Sequence, residues 1–310
     1  MPLLIIAESI IGPILAEVGL HFLSSGRISE ADSPKYREAV DEVVRLRDSK
    51  WAEGLLVVVA YVSTFTSMMT FALTVSSWRW ISSDSGGHIT LAAWWYVLVS
   101  IPIFQFLLYR WFFRIFIWSR FLYRMSRLDL NLIPTHPDRA GGIAFVGANQ
   151  RYFGMILFAL GALFAGVSGN EVMYENVSLS SLQVPTLTIT VVVVFLIQLP
   201  GLFFFSMLRR TKRSGVFVYG NLALRYASEF QRKWVDGAPP TGEQLMGSSD
   251  IQSLADLGNS YGVIDDMMIV PFTWRSSIWL AAAFLFPVFP LLLTVMPLNE
   301  ILQAILKLVV

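Results

Sequence analysis

There is no cysteine among the 310 residues of this chain. Its absence rules out disulfides, thiolate-bound zinc, iron–sulfur clusters and a thiol nucleophile. Charge is scarce as well. Asp, Glu, Lys and Arg together make up 15% of the sequence, against roughly 25% in an ordinary soluble domain. Histidine occurs only at positions 21, 88 and 136, and no HExxH pattern is present. No metal and no cofactor is expected from so thin a ligand set. There is no GxSxG and no glycine-rich phosphate loop, so no catalytic residue is assigned. The net charge of +1 carries no bias toward nucleic acid. No basic segment precedes the first apolar stretch, which argues against a cleaved signal peptide.

What the chain has in abundance is apolar and aromatic side chains, at 55% and 14%. Segments of roughly 54–77, 91–110, 152–168 and 186–207 are long enough to cross a bilayer of about 30 Å. A fifth, roughly 274–296, is interrupted by Pro287 and Pro290, where a kink or break is expected. Gly161-x3-Ala165 and Ala162-x3-Gly166 suit close helix packing. With five spans and the first running outward, residues 25–53, 110–151 and 208–275 are cytoplasmic. They hold 21 of the 23 Lys and Arg, all but Arg79 and Lys307, while 169–185 holds none. Residues 3–23 group Glu8, Ser9, Gly12, Ala16 and Gly19 on one helical face and Leu3, Ile6, Ile10, Ile14 and Val18 on the other. This pattern predicts an amphipathic helix that lies flat on the membrane or packs its polar stripe against protein, with a sixth span as the alternative. Residues 298–310 read as a second amphipathic helix.

The fold class expected is therefore all-α, a polytopic transmembrane protein with about five spans, a cytoplasmic helical cap and amphipathic terminal helices. Its parts run 1–24 (interfacial helix), 25–53 (cytoplasmic helix), 54–127 (hairpin with a basic extension), 128–151 (loop), 152–207 (second hairpin), 208–273 (cap) and 274–310 (fifth span and terminal helix). Ser33 as N-cap and Pro34 as first helical residue start the helix in 25–53, which feeds into the first span near Trp51. Further cap helices are expected over Val216–Val235 and Ser249–Asp265, the latter loosened by Gly258 and Gly262.

Three groups of residues bear on function. Arg110, Arg114, Arg120, Arg124 and Arg127 fall within an arc of about 140° on one helix. They line an anion-concentrating cytoplasmic vestibule, or else anchor the helix to lipid phosphates. The loop Pro134-Thr-His-Pro-Asp-Arg-Ala-Gly-Gly is stiff at its prolines and sharply turned at Gly141 and Gly142. It presents His136, Asp138 and Arg139, which together with Asp256 are the candidates for a ligand or ion site; the alternative is an internal Asp–Arg tie. Gln198, beside Pro200 and Gly201, is a candidate pathway residue or a helix-to-helix tether.

The run Arg127-Leu-Asp-Leu, the loop just quoted, Leu254-Ala-Asp-Leu-Gly-Asn and Val270-Pro-Phe resemble a group of uncharacterised multi-pass bacterial membrane proteins. The resemblance covers about residue 50 to the end. It implies a bacterial inner membrane and no particular activity. The function expected is an oligomeric channel or passive transporter, with membrane lipids, further copies of the chain and a small anion as partners. The alternatives are a membrane scaffold or sensor acting through the cap, and a lipid-active enzyme at the inner leaflet. The N-terminus is expected in the cytoplasm.

Overall fold

The computed structural model describes residues 1–70, 80–81, 88–174, 177–237 and 248–294. It is 83% helical. Among the described residues the extended pairings are a two-residue ladder, Trp80–Ile81 with His88–Ile89, and one bridge between Ile28 and Leu130. Four helical stretches are long and apolar enough to cross a membrane: Pro2–Ser24, Leu91–Met125, Ala144–Tyr174 and Leu179–Val235. The last three contain the segments expected at 91–110, 152–168 and 186–207.

Helix α1 (Pro2–Ser24) joins this set, although its pattern pointed to the interface. Its buried face is Leu4, Ala7, Ile11, Val18 and Phe22. Ile6 and Ile10, on the apolar face of that pattern, are exposed. That exposure has a simple cause. Beside lipid tails, an apolar side chain gains nothing by turning inward, so packing goes to whichever face fits a neighbour.

Helix α2 (Ser33–Arg47) begins one residue earlier than expected, with Asp32 rather than Ser33 as N-cap. The Asp32 carboxylate is drawn off by Lys35 Nζ and the Asp129 N–H, at 2.7 and 2.9 Å, so it does not cap the helix. Helix α3 (Lys50–Thr70) follows a short break rather than a continuous run. It leaves Leu55, Val58 and Val62 exposed. Residues 71–77 of the first expected span lie outside the described residues.

The long element is the helix from Leu91 to Met125. A short α4 (Leu91–Trp95) passes through a wide turn into α5 (Ile101–Met125). At 1.5 Å per residue it is about 50 Å long. Its first half runs antiparallel to α3: Ser63 and Thr64 both donate to Gln105 Oε1 at 2.8 Å. Its second half receives α1, where Trp111 Nε1 donates to the Leu4 carbonyl at 2.9 Å, and α2.

A short α6 (Ala144–Asn149) leads into α7 (Gly154–Tyr174), and α8 is Leu179–Gln198. At Pro200-Gly201 the chain passes through a tight helical turn over Leu199–Phe204. Beyond it, α9 (Phe205–Phe230) starts well before the expected Val216. The cause is that the basic run Arg209–Arg213 continues the helix instead of ending it. Helix α10 spans Ser249–Asp265 as expected, unbroken at both glycines. Helix α11 (Trp274–Leu285) ends just before Pro287, and a tight turn over Phe289–Thr294 includes Pro290. The expected helix over 298–310 lies outside the described residues.

The core sits where the ends of α1 and α5 meet α6 and the turn before α9. Phe22 is its centre, with rings of Phe145 at 4.9 Å, Phe121 at 6.2 Å and Phe204 at 6.4 Å. On the other side α7 and α11 approach closely: a Cβ on Gly161 would overlap the Phe284 carbonyl. Ala162 and Gly166 face away from that contact, exposed.

Candidate functional site

The loop after α5 is held from within. Asp138 Oδ1 accepts the N–H groups of Ala140 and Gly142 at 2.9 and 3.0 Å, and Oδ2 accepts that of Ala144 at 3.0 Å. Burial raises this carboxyl's pKa, but the three amides and His136 outweigh it, so Asp138 titrates below the ordinary range. His136 Nδ1 lies 2.8 Å from Asp138 Oδ1 and 3.3 Å from the Asp138 amide. The Asp138 N–H donates to Nδ1, and no hydrogen bond is made by Nε2 among the described residues.

The same loop joins the surrounding helices. Pro134 rests against Gly215 of α9 and Arg139 faces Asp266 at 3.4 Å, while the Arg139 carbonyl accepts from Met268 N at 2.7 Å. Arg139 has a positive φ of 56°. Gly142, at φ 97°, passes directly over the buried Arg27 guanidinium, which any Cβ there would strike. Arg27 donates to the Asn131 carbonyl at 2.9 Å.

The loop residues are thus brought together, but Asp256 is not among them. It lies ten residues up α10 from Asp266, about 15 Å along the axis, where Gln252 donates to it at 2.9 Å. Gln198 bonds Ser277 of α11 at 2.8 Å and ties α8 to that helix.

The arginine stripe is largely neutralised by the protein itself. Arg114 binds Glu8 of α1, and Arg110 lies 3.2 Å from Glu8 and 3.7 Å from Glu53 of α3. Arg120 and Arg124 grip Glu42 of α2, with Nε and Nη2 at 2.6 and 2.9 Å. Arg127 alone of the five meets no carboxylate among the described residues; it lies over the Tyr123 ring and donates to its hydroxyl at 3.0 Å. Reading the sequence missed Glu8, Glu42, Glu53 and Arg27. A signal existed for one of these groups: Glu38 and Glu42 repeat at the same four-residue interval as Arg120 and Arg124.

The hydrogen bond from Arg120 outweighs the opposing effect of burial and keeps the Glu42 pKa below the ordinary value. A depressed carboxyl contributes fully above its unfolded pKa, about 4.3, and loses that contribution as pH falls through the folded value. The clamp between α2 and α5 is therefore intact at neutral pH. Replacing Glu42 with Lys puts three cations together, and amide exchange across 33–47 is expected to rise by about tenfold or more. Glu42→Gln, which keeps one acceptor, should raise it less.

Between α1, α2 and α5 the ion pairs of Glu8 with Arg110 and Arg114 border a cavity of about 680 Å³. Its walls are apolar, including Ile11, Leu15, Val43 and Phe121, and Glu8, Arg110 and Arg114 line one part. Trp118 also lines it, 7% exposed, and its indole N–H is buried with no hydrogen-bond partner among the described residues. An unpaired buried donor costs about 1–3 kcal/mol, so this one calls for an acceptor. Gly12 is at the wall too, with open space within 4 Å of where a Cβ would stand.

No known protein family, curated protein or solved structure matches this chain. Fold and site together define a class: an all-α protein with four helices fit to cross a membrane and a largely apolar cavity bordered by ion pairs among three of its helices.

Proposed function

We propose that this protein is a membrane sensor or scaffold that binds a lipid or lipid-like amphiphile. The observation that carries the reading is the cavity between α1, α2 and α5, with its apolar walls, its charged border and the unpartnered Trp118 N–H. Apolar walls suit an acyl chain, and the indole suits an ester or carboxyl oxygen. The charge bias of the sequence supports an orientation with the loop and both cap helices in the cytoplasm, and the resemblance to bacterial multi-pass proteins supports a bacterial inner membrane. Helix α2 covers the cavity, held by Glu42 and by Tyr36, whose hydroxyl donates to the Gly19 carbonyl at 2.8 Å. A bound chain props α2 against α5. Through Arg27 and the loop, that position reaches α9 and α10.

An anion channel has less support. Its vestibule needs free cations, and four of the five stripe arginines already face carboxylates. A lipid-active enzyme has less support too, because Asp138 is engaged by backbone amides.

The test is to fill the cavity without disturbing its walls. Gly12→Leu adds a side chain where there is room and removes a helix-weakening glycine. Lipid retained per chain on native mass spectrometry is expected to fall about tenfold, the equivalent of about 1.4 kcal/mol, with no loss of thermal stability. Trp118→Phe keeps an aromatic ring, removes the N–H donor and should reduce retention less. Undiminished retention in both variants contradicts the proposal.

A further inference from the structure

We infer that a second cavity, between the end of α5 and the start of α9, is a binding site for a phosphate group. This cavity of about 720 Å³ is separate from the one between α1, α2 and α5, with no lining residue in common. Arg127 and Arg210 both line it. Neither guanidinium has a carboxylate within 4.0 Å among the described residues, unlike the other four arginines of the stripe. Arg127 is held in place by the Tyr123 ring and hydroxyl, and among the described residues Arg210 Nε donates to the Ser206 carbonyl alone, at 3.3 Å.

Hydroxyls complete the wall. Ser206, Arg210 and Ser214 follow one another at four-residue intervals, so they share one face of α9, with Thr211 beside them. None of these three hydroxyls makes a hydrogen bond among the described residues. Asp129 is the single acidic side chain in the lining, so two guanidiniums against one carboxylate leave a net positive site. Planar guanidinium donors with hydroxyls around them match the oxygens of a phosphate.

The position fits as well. The site lies just past the apolar helix α8, and Tyr123 and Phe203 close one wall with their rings 5.4 Å apart, edge to face. Leu202 and Phe205 are exposed nearby. This is where a lipid headgroup sits with its chains against aromatic side chains. A free phosphate ion has the same chemistry.

The experiment uses the full chain in detergent, as wild type and in the Gly12→Leu background, where the other cavity is filled. One arm offers phosphatidylglycerol and counts bound lipid by native mass spectrometry. The other titrates inorganic phosphate against chloride of equal ionic strength and follows the melting temperature. A lipid retained in the first arm identifies a headgroup site; a phosphate-specific rise in the second identifies a site for the free ion. In either case Arg127→Gln with Arg210→Gln is expected to weaken binding about a hundredfold, two charge-assisted contacts at about tenfold each. Arg209→Gln, one residue off the lining, is the control and should leave binding unchanged. The inference is overturned if neither probe binds the wild type, or if the double variant binds as tightly as the control.

Discussion

Replacing Asp138 with Ala is expected to lower stability by about 3 kcal/mol or more. The reason is arithmetic at one side chain. Its two oxygens satisfy the amides of Ala140, Gly142 and Ala144, and Ala at this position supplies no acceptor to replace them. Each buried N–H left alone costs about 1–3 kcal/mol. The turn they hold also carries Arg139 to Asp266 and Gly142 over Arg27, so its loss frees α9 and α10 from the rest of the protein. Asp138→Asn keeps one oxygen and should lose about half as much. The folded carboxyl titrates low, so its contribution is complete above about pH 4, the ordinary Asp value, and disappears as pH falls through the folded pKa. Denaturant unfolding in detergent at pH 7 and pH 3 should therefore show a smaller acid-dependent loss in Asp138→Asn than in wild type, the remainder coming from other low-titrating carboxylates such as Glu42.

The second large effect belongs to Gly161. Leu at this position drives a side chain into the Phe284 carbonyl, so α7 and α11 must separate. Overpacking of this kind costs about 1–3 kcal/mol where a neighbour can yield; here the neighbour is backbone, and about 3 kcal/mol or more is expected. Gly166 lies five residues on with nothing within 4 Å of where its Cβ would be. Gly166→Leu should leave the melting temperature of the detergent-solubilised chain within about 2 °C of wild type, while Gly161→Leu should lower it by about 6 °C or more. Equal effects would mean that the α7–α11 contact is not the tight one.

Local features of this fold can be read from neighbouring residues. Pro134, Pro137 and the paired glycines announce a stiff loop with a positive-φ exit, and Gly141 and Gly142 have φ of 66° and 97°. Ser249 and Asp265 bound a helix because the residue pattern is continuous over a short span. Pro287 stops α11 for the same local reason. What depends on distant partners is hidden. Glu8 and Arg114 are 106 residues apart, and nothing near Glu8 says that it will meet a guanidinium. The polar stripe of α1 fits either a membrane surface or a packed interface, and only the fold shows that Glu8 and Gly12 line a cavity against α2 and α5. Arg110 to Arg124 look like free cations because their counter-charges come from three other helices. The start of α9 is obscured because basic residues at the end of an apolar run are equally consistent with stopping a helix or continuing it.

The claim on which the functional reading turns is that an acyl chain occupies the space between α1, α2 and α5. A lipid with a photoreactive group in its chain, incorporated into membranes and activated before purification, reports directly on contact. Adducts are expected on Leu15, Val43 and Phe121, inside the cavity, and should vanish in Gly12→Leu. Labelling confined to outward-facing side chains such as Ile5, Val58 and Val184, unchanged by that substitution, would show that the cavity is not a lipid site.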